Sequence, residues 1–200
     1  MSKSVDFIFD FGSPNAYLAY KALPPILQRT GAKLNIVPCL LGGIFKATGN
    51  KPPMVAFGEV KGKLDYDRLE MMRFIKKYAL TRFKFNPNFP VNTLTLMRGA
   101  VAAEMNGQLT PYVEAGLKAM WEDGLKMDDP GVFAKAMTDA GLNGAALLEQ
   151  TQDAGVKAKL AANTDAAVAR GAFGIPTFYV GQEMFFGKDR LAQVEEALAG

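Results

Sequence analysis

Histidine is absent from this 200-residue chain, and cysteine occurs once, as Cys39. The first absence excludes a Ser-His-Asp or Cys-His nucleophile, a histidine general base and any histidine-ligated metal site. A single cysteine allows no intrachain disulfide, no dithiol redox pair and no thiolate zinc cluster. Any sulfur chemistry must therefore use a thiol carried in by a ligand. Charge of one sign is also scarce: 23 Lys+Arg against 20 Asp+Glu leave a formal net +3. That balance, with no interleaved basic and aromatic run, argues against nucleic acid as a partner. It leaves room for a mildly basic pocket that takes an acidic small molecule. No apolar stretch approaches the ~20 residues needed to span a bilayer, so no membrane partner is expected. The start Met1-Ser2-Lys3-Ser4 is polar and does not read as a secretory signal. With no disulfide capacity, the cytoplasm is the expected compartment. Internal repeats and low-complexity segments are lacking too.

What remains is ordinary globular material, 49% hydrophobic and 22% charged, enough for one domain or one domain with a large insertion. Residues 6–11, Asp-Phe-Ile-Phe-Asp-Phe, read as a buried strand running into Gly12-Ser13-Pro14-Asn15. Ser13 stands at a helix-capping position and Pro14 in the first turn. The helix should end near Gly31, with a kink or break at Pro24-Pro25. Residues 34–38 alternate like a strand, and Cys39 to Phe45 leads into a loop ending at Asn50-Lys51-Pro52-Pro53. The two strands are expected to be parallel and joined by a right-handed crossover. From Lys63 to Gln152 there is no strand signal and the periodicity is helical apart from a proline-containing loop over Phe83 to Asn92, with caps expected at Thr110-Pro111 and Asp129-Pro130. A long helix from about Asp153 to Gly171 follows. Strands at Thr177–Val180 and Glu183–Phe186 and a helix over 188–198 close the chain. The scheme is α/β: β-α-β, an all-α helical insertion over residues 63–152, then α-β-β-α, with residues 1–62 and 153–200 forming the second unit.

The candidate chemistry sits in the connections. Ser13 at a helix N-terminus lies beside unpaired N–H groups and the positive end of the helix dipole, an environment that stabilises an anion such as a thiolate. With no base nearby it is a poor nucleophile itself, and on local sequence alone plain capping is the stronger reading. Ile175-Pro176, between Gly174 and Thr177, suits a tight turn, and a cis peptide there leaves the N–H and C=O of Ile175 free for a ligand backbone; a trans bond is commoner by far. Asp189 and Arg190 open the last helix. They either complement its dipole or hold a ligand's ammonium and carboxylate. Asn50 reads as a turn residue or a polar contact, and Lys61 and Lys63 as solvated lysines or anion ligands. Cys39 and Trp121 read as packing.

Taken in order, Asp10-Phe11-Gly12-Ser13-Pro14 with Tyr17-Leu18, Gly49-Asn50-Lys51-Pro52-Pro53, Lys63-Leu64-Asp65-Tyr66, Gly171 to Thr177 and Phe186 to Leu191 resemble the 2-hydroxychromene-2-carboxylate isomerase family. That family is similar to kappa-class glutathione transferases and, more distantly, to the disulfide oxidoreductase DsbA. The resemblance implies a thioredoxin-like fold with a helical insertion, a homodimer, and glutathione as cofactor. By position, Ser13 would hydrogen-bond the glutathione sulfur, and Ile175 before a cis Pro176 would pair with its cysteinyl backbone. Asp189 and Arg190 would hold the γ-glutamyl end, Asn50 would touch the tripeptide, and Lys61 or Lys63 would lie near the glycyl carboxylate or the substrate. Ser13 and Ala16 stand where redox relatives carry two cysteines. Two departures are Lys188, where Ser or Asn is usual, and the small Gly12. The implied activity is isomerisation of a small aromatic acid through reversible thiolate addition. A kappa-like transferase or peroxidase acting on electrophiles, and a non-catalytic thioredoxin-like module that binds a peptide, are the competing readings.

Overall fold

The computed structural model describes residues 3–200. At its centre is a four-stranded sheet: β1 (Ser4–Phe9), β2 (Lys33–Pro38), β3 (Thr177–Val180) and β4 (Glu183–Phe186), in the order β2-β1-β3-β4. β1 and β2 are parallel, as expected of strands joined by a helical crossover, with Phe7 opposite Ile36. β3 runs antiparallel to β1 with Phe178 opposite Phe7, and β4 completes a hairpin with Phe185 opposite Phe178. Gly181, at φ 59°, supplies the left-handed position that the two-residue hairpin turn needs. Side chains on both faces of β1 are buried, Phe7 and Phe9 as well as Ile8, which accounts for its almost unbroken apolar run. The Phe7 and Phe178 rings stack at 5.0 Å, fixing the register of β3.

Pro24 and Pro25 divide the first helical stretch into α1 (Pro14–Ala22) and α2 (Pro24–Thr30), and α2 stops at left-handed Gly31. The segment after β2, expected as a loop, is instead helix α3 (Leu41–Thr48). Its Gly42-Gly43 pair is a poor helix former, but tertiary bonds hold its start. The Leu41 N–H donates to the Asp10 carboxylate at 2.7 Å and the Leu40 N–H to Thr164 Oγ1 at 3.0 Å. A short helix α4 (Pro53–Ala56) and α5 (Lys63–Lys77) follow. Next come α6 (Leu94–Met105), α7 (Leu109–Trp121), α8 (Pro130–Asp139), α9 (Gly144–Gln150) and α10 (Ala154–Ala169). Asp129 caps α8 as its Asp-Pro pair indicates, accepting the Gly131 and Val132 N–H groups. Thr110-Pro111 does not cap α7, which begins one residue earlier without a side-chain cap. The last helix divides into a 3₁₀ turn (Lys188–Arg190) and α11 (Leu191–Ala199).

α10 packs on β2, α3 and α6, while α11 packs on α2 and β3. One continuous apolar cluster runs from Val5 to Leu198, and Trp121, Tyr112 and Phe133 carry it into the helices. At the α7 crossing, a Cβ on Gly116 would enter the ring of Phe11, so only glycine lets that helix approach the turn that follows β1.

Candidate active site

The turn after β1 is fixed from below by a buried carboxylate. Asp10 is fully buried and accepts the Gly12 N–H at 2.8 Å and the Leu41 N–H at 2.7 Å, with the Thr93 side chain as a third partner. Burial pushes its carboxyl pKa up, and those three hydrogen bonds pull against the rise. The Trp121 indole N–H donates to the Phe11 carbonyl at 2.9 Å, tying α7 to the same turn. Ser13 then caps α1: its hydroxyl oxygen accepts the Ala16 N–H at 3.2 Å.

The same hydroxyl reaches the far end of the chain. Ser13 Oγ donates to the Ile175 carbonyl at 3.0 Å, across 162 residues. A carbonyl can only accept, so the serine proton lies on that bond. The Ile175–Pro176 peptide is cis. The Ile175 C=O is therefore taken up by Ser13 rather than free, a correction to the expectation that both its polar groups face a ligand. The loop is held on three sides. Thr177 Oγ1 donates to the Gly174 carbonyl at 2.8 Å, the Gly187 N–H donates to the Pro176 carbonyl at 2.9 Å, and Asn50 Nδ2 lies 3.4 Å from the Phe173 carbonyl. Thus Ser13, Asn50, Ile175 and Pro176 come together at the N-terminus of α1, where the helix dipole favours an anion. Ser13 itself is only 5% exposed.

The remaining expected residues are less closely tied. Lys61 is exposed, and Lys63 pairs with Asp67 and lies 5.1 Å over the Phe57 ring; no hydrogen bond or ion pair links either to the Ser13 cluster among the described residues. Arg190 and Asp189 are exposed just beyond Gly187. Arg190 borders an open cavity of about 710 Å³ with Phe173, Phe186 and Glu183, and Ser13 does not line it. Lys188 is buried; its ammonium lies 2.6 Å from Asp189 Oδ1 and 5.0 Å over the Phe74 ring. The carboxylate expected to receive a ligand's ammonium already holds one from the chain.

Sequence reasoning missed the anchoring roles of Asp10, Thr93 and Trp121. For Asp10 a signal existed: a carboxylate inside an apolar strand run must find donors or stay unpaired. Nothing local marks Thr93 or the Trp121 indole. Asn15 was also passed over; its side-chain oxygen is buried and finds no hydrogen-bond partner among the described residues, one residue past Pro14.

The chain as a whole has counterparts among known proteins. The family model described as DSBA-like thioredoxin domain matches residues 4–199. A 2-hydroxychromene-2-carboxylate isomerase of Pseudomonas sp. (strain C18) is 30% identical over 196 residues, 98% of this chain and 90% of the relative. The chain belongs to the 2-hydroxychromene-2-carboxylate isomerase family. A solved structure of such an isomerase superposes with a TM-score of 0.83 at 29% identity, covering 98% of this chain and 94% of the other. Glutathione S-transferase kappa 1 of Rattus norvegicus is 27% identical, covering 94% of this chain and 87% of that protein. The named members of this family are enzymes, and the fold is that of DsbA-like thioredoxin proteins with many added helices.

Proposed function

We propose that the protein is a glutathione-dependent isomerase acting on an aromatic acid of the 2-hydroxychromene-2-carboxylate type. The observation that carries this reading is the Ser13 Oγ to Ile175 carbonyl bond of 3.0 Å, which joins the α1 N-terminus to the residue 175–176 peptide at one point. Isomerase relatives at 29–30% identity over nearly the whole chain support the reaction class. Kappa transferase relatives support glutathione as the source of the thiol.

The residues present fit such a ligand. A chain with no histidine and one buried cysteine has no accessible thiol and no histidine-activated nucleophile of its own. The Asn15 side-chain oxygen, two residues past Ser13, is a buried acceptor without a hydrogen-bond partner among the described residues. Ser13 would hold the sulfur, Ile175 and Asn50 the tripeptide backbone, Asp189 and Arg190 the γ-glutamyl end, and Lys61 or Lys63 the glycyl carboxylate. When bound, glutathione supplies a thiolate that adds reversibly to the substrate and frees a double bond to rotate. Ser13 would donate its proton to the sulfur in place of the Ile175 carbonyl, while its oxygen keeps the bond from the Ala16 N–H. The exchange would trade a neutral hydrogen bond for a charge-assisted one that is roughly twice as strong, less the roughly 1–3 kcal/mol that leaving the buried Ile175 carbonyl unpaired costs. Asp10 and Trp121 keep the turn from shifting while the charge on sulfur changes.

On the same reading, residues 63–152 are an insertion over a thioredoxin-like unit of residues 1–62 and 153–200, and the enzyme works in the cytoplasm as a homodimer. Met54, Val55 and Val60 are exposed close together in sequence, and Leu69 and Met72 are exposed three residues apart on α5; exposed apolar side chains of this kind support a partner copy. Sedimentation as a monomer at micromolar concentration contradicts the dimer.

Product analysis tests the activity. With a chromene carboxylate as substrate, isomerisation requires glutathione, the glutathione pool returns unmodified, and Ser13→Ala lowers kcat roughly 10²-fold, the usual cost of removing one preorganised donor to a developing anion. Net consumption of glutathione into a conjugate favours the kappa-like transferase, for which the rat relative speaks. Unchanged turnover in Ser13→Ala removes the role given to that hydroxyl.

A further inference from the structure

A second concavity lies away from the Ser13 cluster, where α3, α6 and α10 meet. Its volume is about 440 Å³, within the size range of small-molecule sites. Leu40, Leu94 and Leu160 provide an apolar lining, and Lys46, Arg98 and Lys157 stand around it, one cation from each helix. None of the three cations enters an ion pair or a side-chain hydrogen bond among the described residues, although twelve ion pairs form elsewhere. Arg98 and Lys157 are half-buried, where an unpaired cation gains least from water. Asp165 is the one carboxylate in the lining, so formal charge there stands at three positive against one negative, or +2. The whole chain carries only +3.

The walls are built rather than incidental. Thr164 of α10 accepts the Leu40 N–H at 3.0 Å, and Asn163 Nδ2 donates to the Pro38 carbonyl at 3.0 Å. A Cβ on Gly43 would lie 3.0 Å from Thr164 Cγ2, so α3 and α10 touch in the cavity wall. Neither Ser13, Asn50, Ile175 nor Arg190 lines the space.

We propose that this cavity is a separate binding site for a small organic carboxylate with an apolar body, aromatic or branched aliphatic. The leucines take the body and Arg98 with Lys157 take the carboxylate, Arg98 through its planar fork. Charge complementarity selects an anion, and the apolar lining selects against inorganic phosphate.

Calorimetric titration of the full chain with 2-naphthoate, and with 2-naphthalenemethanol as its neutral counterpart, tests the site without any substitution. Naphthoate binding at least tenfold tighter than the alcohol is expected. The double variant Arg98→Gln, Lys157→Gln, with unchanged thermal stability, should weaken naphthoate at least tenfold, and Ser13→Ala should leave it alone. Absence of binding at millimolar naphthoate, equal binding of the alcohol, or equal competition by inorganic phosphate overturns the proposal. So does naphthoate affinity that survives the double variant, which would put the probe elsewhere.

Discussion

Two side chains on neighbouring segments, Ser13 and Cys39, show how position decides what a polar atom can do. Ser13 sits at a helix start with one donor and one acceptor engaged, and the donor can be re-aimed at the cost of a torsion while the acceptor stays bonded. Cys39 is wholly buried, with its Sγ 3.4 Å from the Asn163 carbonyl. Burial first, and the nearby Asp10 carboxylate second, push its thiol up to about 12. The sole thiol of the chain is therefore protonated and shielded at physiological pH. In the native protein at pH 8, a disulfide reagent such as dithionitrobenzoate should find essentially no reactive thiol, and one per chain after denaturation. Rapid native reaction would restore a thiol to the chain's own chemistry. Ser13 and Cys39 were both readable in the sequence, the first from the cap-and-proline pattern and the second from its apolar setting. The bond from Ser13 to residue 175 was not, because its partners are 162 positions apart.

Among the elements, strands β1–β4 and the long helices declare themselves by apolar runs and periodicity. α3 does not: two adjacent glycines hide it, and it exists because Asp10 and Thr164 capture its first N–H groups. α7 likewise starts ahead of its Thr-Pro signal, at a position no local motif marks. Asp10 is thus the joint between the β1 turn, the start of α3 and the Thr93 end of α6. Asp10→Ala should cost about 1–3 kcal/mol by leaving two buried N–H groups unpaired. The carboxyl titrates above its free value of 3.8, so the folded state holds the proton more tightly than the unfolded chain does. Its stabilising contribution is then complete below pH 3.8 and is lost as pH rises through the folded-state value. In urea titrations the stability of the native chain relative to Asp10→Asn should accordingly fall as pH rises across that interval and level off above it. A relative stability that climbs with pH would mean that the carboxylate is favoured in the fold, the reverse of this account.

At the scale of the whole molecule, the two ends of the sequence meet at the Ser13 turn. Residues 4–14 and 173–190 fold against each other through the β1–β3 pair, which places two motifs far apart in the chain within one hydrogen bond. Their order and spacing could be read beforehand, and the fold with them. What could not be read was Lys188, whose buried ammonium pairs with Asp189 and lies over Phe74. Only packing of α5 against the 188–190 turn creates that contact.

The central claim is that a ligand's sulfur is held as an anion at the start of α1. The most direct measurement is a pH titration of thiolate absorbance for glutathione bound to the native protein and to Ser13→Ala. The account predicts an apparent pKa below the ~8.5 of a free cysteine thiol, moving back toward that value in the variant. A bound thiol that titrates at or above the free value, or no binding of glutathione at millimolar concentration, would contradict it.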